Sequence, residues 1–148
     1  MGEGKVQITT RDFGTIEVEK ESILTFKQPI FGFEEYTKYV LISDADMGSG
    51  ICWLQSVENQ DICFILMDPQ EITPDYAPSI SQEALLTLQA VPQDPLDCWV
   101  ITVIGKTFQE STVNLKSPIL MNHKTNYAMQ IILEQDYPIR QRIFNGEG

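Results

Sequence analysis

Thr112-Val-Asn-Leu-Lys-Ser-Pro-Ile-Leu-Met-Asn122 is the stretch whose reading decides the fold. Val113 and Leu115 alternate with Asn114 and Lys116, the period of a half-buried strand. Pro118 then breaks the run, because it brings no N–H to a β-ladder. It belongs at an edge, at a bulge, or where two short strands join. Ile119, Leu120 and Met121 return to the core, and Asn122 opens a polar turn with His123, Lys124, Thr125 and Asn126. The stretch reads as a kinked strand with an amide at each end, Asn114 and Asn122, each suited to satisfying nearby backbone groups.

Working outward, the same signals recur. Val6 and Ile8, then Ile16 and Val18, flank Arg11-Asp-Phe-Gly14, which predicts a β-hairpin with Gly14 in the unusual backbone conformation. Leu24 and Phe26 predict a third strand, followed by an aromatic loop holding Phe31, Phe33 and Tyr36 with Glu34 and Glu35. Residues 39–42 predict a strand. Residues 51–57 and 62–67 are nearly continuous apolar runs around a polar turn, so they predict a hairpin covered on both faces. Ala84, Leu85 and Leu88 fall at helical spacing after Ser79 and Ser81. Either serine can cap this helix, and Ser79-x-x-Gln82 fits a capping box. Residues 98–104 are rich in β-branched side chains and predict a central strand. Residues 127–133 predict another, and residues 137–144, with Arg140 and Arg142, a short helix or turn. Many short strands and one brief helix predict an all-β, compact, antiparallel barrel-like single domain over residues 1–148. Its core lies at about 5–144, with frayed ends at Met1–Gly4 and Asn145–Gly148.

Composition narrows the function. Ten Lys and Arg stand against 21 Asp and Glu, a net charge of −11. That disfavours direct binding to nucleic acid or to an anionic membrane. It suits a basic protein partner, or serves solubility alone. No apolar run reaches the roughly 18 residues of a membrane span, and no signal peptide opens the chain, so the cytoplasm is expected. Cys52, Cys63 and Cys98 lie in apolar runs without C-x-x-C spacing, which predicts buried free thiols rather than a metal knuckle or redox pair. Asp44-x-Asp-x-Gly48 begins like a calcium loop, but Ser49 and Gln55 stand where that loop needs glycine and glutamate. No metal or other cofactor is expected. His123 is the only histidine. It sits in a polar turn with no sequence neighbour marking a catalytic dyad. Two readings remain: a catalytically silent binding module, or a small β-barrel enzyme using His123 with a thiol or carboxylate. A third, a subunit that closes its sheet edges by self-association, sets a test of mass against concentration; a monomer is expected for the free chain.

The ordered motifs carry a resemblance. Gly32-Phe-Glu34, Tyr39-Val-Leu41, Trp53-Leu-Gln-Ser56 with Gln55, Asp68-Pro69, Asp75-Tyr76, Asn114-Leu-x-x-Pro118-Ile-x-x-Asn122, and Gln130-Ile-Ile-Leu133 followed by Tyr137 and Arg140 together resemble the flagellar assembly factor family, FliW. The departures are Gln28-Pro-Ile-Phe31 before the first motif, Ser117 at a position commonly alanine, and Pro78 after Asp-Tyr. The resemblance implies a β-barrel-like fold, no enzyme activity, and two partners: flagellin and the RNA-binding translational repressor CsrA. On this scheme, flagellin holds the protein until export frees it to bind CsrA and relieve repression of flagellin translation. The contact residues expected for these partners are Phe33, Glu34, Glu35, Asp68, Asp75 and Tyr76.

Overall fold

The computed structural model describes residues 4–144; the fraying expected of Met1–Glu3 and Asn145–Gly148 falls outside them. Strands β1 (Lys5–Thr9) and β2 (Thr15–Glu19) form a separate two-stranded hairpin, with Gly14 at φ +68°. The main sheet contains β3 (Leu24–Gln28), β4 (Lys38–Ile42), β5 (Ile51–Ser56), β6 (Cys63–Met67), β7 (Asp97–Val103), β8 (Thr112–Val113), β9 (Ile119–Asn122), β10 (Tyr127–Gln130) and β11 (Gln141–Arg142). Its order is β11-β8-β7-β6-β5-β4-β3-β10-β9, and β9 also pairs with β7. That last pairing closes a ring of seven strands, with β8 and β11 attached outside it.

The ring explains the one parallel pairing. Strands alternating in direction cannot close an odd-numbered ring, so one neighbouring pair must run the same way. Here it is β10 with β3, which carries a register shift between Ala128 and Met129. Every other pairing is antiparallel, as the hairpin signals require. Closure leaves the seven ring strands without a free edge over their paired lengths.

Alternation then fills two layers. Leu24, Phe26, Tyr39, Cys52, Leu54, Leu66, Ile119, Met121 and Ala128 pack inside the barrel. Their neighbours on the same strands face outward, and three pieces cover them. The β1–β2 hairpin lies over β5 and β6: Phe13 meets Trp53 edge-on at 5.2 Å, and the Arg11 guanidinium donates to the Cys63 carbonyl at 2.9 Å. Helix α1 (Gln82–Thr87) lays Ala84 and Leu88 on Leu120 and Met129. Tyr76 packs with Val100, Val113, Leu115 and Leu133. This second layer is why β5 and β6 read as continuous apolar runs.

Pro118 lies where two short strands join, between β8 and β9. Of the two capping candidates one is selected, and the reading of residues 137–144 is refined. Ser81, not Ser79, caps α1: its Oγ accepts the Ala84 N–H at 3.1 Å, whereas the Ser79 N–H donates to Gln135 Oε1 at 2.7 Å. Residues 137–144 form no helix. Gln141 and Arg142 instead pair with Val113 and Thr112, because β8 still has an open outer edge.

Candidate functional site

Several motif residues (Asp68, Tyr76, Asn114 and Tyr137) lie in or beside the outer layer next to β7. Asp68 follows β6 and caps a single helical turn, Pro69–Glu71, by accepting the Gln70 N–H at 2.9 Å. Gln70 Nε2 donates to the Tyr76 carbonyl at 2.6 Å. The Tyr76 hydroxyl donates to the Leu115 carbonyl at 2.7 Å, and its ring meets Tyr137 at 4.6 Å. Tyr137 in turn accepts the Ala77 N–H at 3.1 Å. Asn114 Oδ1 accepts the N–H groups of Lys116 and Ser117, each at 3.0 Å, and shapes the turn into Pro118. Gln55 is fully buried, and Gly32 takes φ +89°. Arg140 is exposed. Asp68, Tyr76, Asn114 and Tyr137 thus hold the covering segment to the barrel, while Gln55 serves the β1–β2 hairpin.

The expected contact residues separate. Phe33 is half-buried, its ring edge-on to Phe64 at 5.0 Å. Glu34 and Glu35 face solvent, and Glu34 Oε2 accepts the Gly32 N–H at 2.6 Å. Asp68 is half-buried and Asp75 exposed, but both lie past the other end of β6 from Phe64. That strand length separates the two groups by about 13 Å at the usual rise per residue. Tyr76 is corrected: it is 3% exposed, and its hydroxyl is engaged inside the fold. Its ring offers no surface to a partner, because the Val113-Leu115 turn closes over it.

A concavity of about 300 Å3 beside Asp68 is lined also by Tyr76, Asp97, Cys98 and Trp99. At its edge His123 Nε2 lies 2.7 Å from Asp97 Oδ2, a pair invisible in the sequence because 26 residues separate its members. Both side chains are about half exposed. The His–carboxylate half of an acid–base device is therefore present, but no activated nucleophile joins it. Burial pushes the Cys98 thiol up to about 12, with Asp68 and Asp97 adding to the shift. Burial also pushes Cys52 up to about 12, and raises Cys63 against the opposing pull of Arg11. At neutral pH the thiol form therefore dominates, and a thiol is a poor nucleophile. Among the described residues no group of three or more His, Cys, Asp or Glu could hold a metal ion. The Asp44 segment is a capped turn, with Asp44 Oδ1 accepting the Asp46 N–H at 3.0 Å.

Comparison with known proteins decides the family. The FliW protein family model matches residues 7–143. This chain belongs to the FliW family. The flagellar assembly factor FliW of Caldanaerobacter subterraneus subsp. tengcongensis is 35% identical over 145 residues, covering 95% of this chain and 97% of that protein. That of Thermoanaerobacter pseudethanolicus is 34% identical over 145 residues, with the same coverage. A crystal structure of the flagellar assembly factor FliW superposes with a TM-score of 0.88 at 28% identity, across 97% of this chain and 100% of the other. The FliW fold is thus a seven-strand closed barrel with one short helix. Among the described residues no helix is long and apolar enough to cross a membrane.

Proposed function

We propose that this chain is a non-enzymatic flagellar assembly factor of the cytoplasm that binds flagellin and, once released, binds and antagonises the translational repressor CsrA. Flagellin synthesis would then follow flagellin export. The observation that carries the reading is the family match along nearly the whole chain, 35% identity over 95% of its length. The net charge of −11 supports it, since an acidic surface favours encounter with a basic RNA-binding protein. Within the loop after β3, Glu34 and Glu35 are exposed carboxylates that could meet such a partner. Reversing both to lysine tests them: unchanged CsrA affinity removes them from the contact surface. Whether antagonism works by imitation of RNA or from a separate site is tested by mixing all three components. A stable ternary complex of chain, CsrA and RNA sinks imitation.

A second reading rests on the His123–Asp97 pair at the edge of a 300 Å3 concavity, which could move a proton for a small substrate. It lacks an activated nucleophile. Full partner binding by His123→Ala without turnover of any substrate by the unmodified protein counts against it.

A further inference from the structure

Past Gln130 the chain continues beside residues 116–118. The Ile131 N–H donates to the Pro118 carbonyl at 3.1 Å, and the Leu133 N–H to the Lys116 carbonyl at 2.9 Å. Alternate backbone groups of an extended segment point to opposite edges, so those of Ile132 point away from this pairing. β3 covers that side of β10 only as far as Gln28 and then turns off at Pro29. Neither backbone group of Ile132 has a hydrogen-bond partner among the described residues. Its side chain is 62% exposed. An unpaired edge of this kind is a template for another strand.

A groove runs along the same edge. Two cavities of about 280 and 470 Å3 share Ser81, Glu83, Ile131 and Ile132 as walls. Together they extend from Phe31, itself half exposed, to Gln135. The free edge beyond β3, from Gln130 to Leu133, spans about 10 Å, room for about three residues of peptide at the centre of a longer bound segment. Phe31, Ile80 and Ile132 give the groove apolar walls. Glu83 and Glu134 give it charge, and among the described residues no Lys, Arg or His lines it.

We infer that an extended segment of a partner protein, alternating apolar and cationic side chains, adds as a strand along Ile131–Leu133. Its backbone pairs with Ile132, its apolar side chains meet Phe31, Ile80 and Ile132, and its cations face Glu83 and Glu134. Strand addition draws affinity from the main chain and specificity from alternate side chains. The inference rests on the reading of this chain as a binding protein.

The probe is a fluorescein-labelled Val-Lys-Val-Lys-Val-Lys peptide titrated into the full chain, read by anisotropy. Saturable binding is expected. N-methylation of the peptide backbone at the positions facing Ile132 lowers affinity tenfold or more, and so does the E83K/E134K double variant. The N-methylated peptide leaves the protein untouched, so the test survives any fault in the variant. Slowed hydrogen exchange at Ile132 on binding places the peptide. Absence of saturable binding, or binding indifferent to N-methylation, overturns the inference. A chain that binds CsrA or flagellin but not the peptide overturns it and leaves the functional reading standing. A chain that binds the peptide as described but neither protein supports it and removes the functional reading.

Discussion

Asn122 Nδ2 donates to the Leu88 carbonyl at 2.9 Å, tying the end of β9 to the end of α1. The last carbonyls of a helix have no partner within it. Thr125 Oγ1 donates to the same carbonyl at 3.0 Å, while Asn122 Oδ1 accepts the Lys124 N–H at 3.1 Å. One fully buried amide thus fixes both the polar turn after β9 and the cover over Leu120 and Met129. Asn122→Ala should lower unfolding free energy by about 1–3 kcal/mol, the usual cost of stranding buried polar groups. Urea denaturation measures it. A change below about 0.5 kcal/mol would mean that the helix is held by its apolar face alone.

Gln55 plays the matching role for the hairpin. Its Oε1 accepts the Arg11 N–H at 2.9 Å, and its Nε2 donates to the carbonyls of Ser56, Gln60 and Ile62. Gln55→Leu keeps the volume and removes all four. The β1–β2 hairpin should then exchange its amide hydrogens tenfold or more faster, while the amides of β5–β7 slow down or quicken far less. Uniform quickening across the chain would show a global loss of stability instead.

The thiols set a pH limit. Cys52 and Cys98 are pushed up to about 12 by burial, from an ordinary value of 9.0. Each folded thiol holds its proton more tightly than the unfolded one. Their contribution is complete below about pH 9 and is lost as pH rises from there toward 12, at up to ~1.4 kcal/mol per pH unit for each group. Tyr39, raised to about 12 by burial, adds to the loss above pH 10. Urea midpoints should hold level from pH 7 to 8.5 and fall steeply by pH 10.5. The C52A/C98A pair should flatten that fall. Thiol reagents at pH 8 should label the native chain far more slowly than the unfolded one.

The His123–Asp97 pair is exposed on both sides. Pairs of that kind contribute about 0–1 kcal/mol. His123→Ala should therefore leave stability within about 1 kcal/mol of the parent and leave affinity for CsrA and flagellin unchanged. A tenfold loss of either affinity would place His123 on a binding surface.

Much of the barrel was legible because its signals are local. Gly14 needs a left-handed turn, Pro118 needs a strand junction, and the β-branched run over residues 98–104 reads as a central strand, although it ends exposed at Val103 and Ile104. Closure into a barrel is expected from the many short strands, but which strands close it is not legible, since the β7–β9 and β10–β3 pairings depend on where distant strands meet. The β11 pairing was missed for the same reason: two residues carry no period, and only the open edge of β8 recruits them. The burial of Tyr76 is not legible either, because its hydroxyl reaches a carbonyl at Leu115, 39 residues away. The Asp97 partner of His123 and the unpaired edge at Ile132 are likewise products of folding. No spacing in the sequence encodes them.

Titration calorimetry tests the proposed partner exchange: purified CsrA into this chain, then the same titration with flagellin already bound. Tight binding to CsrA that flagellin abolishes is the expected result. Failure to bind either protein would contradict it, leaving a FliW barrel with another ligand and His123 as the first residue to pursue.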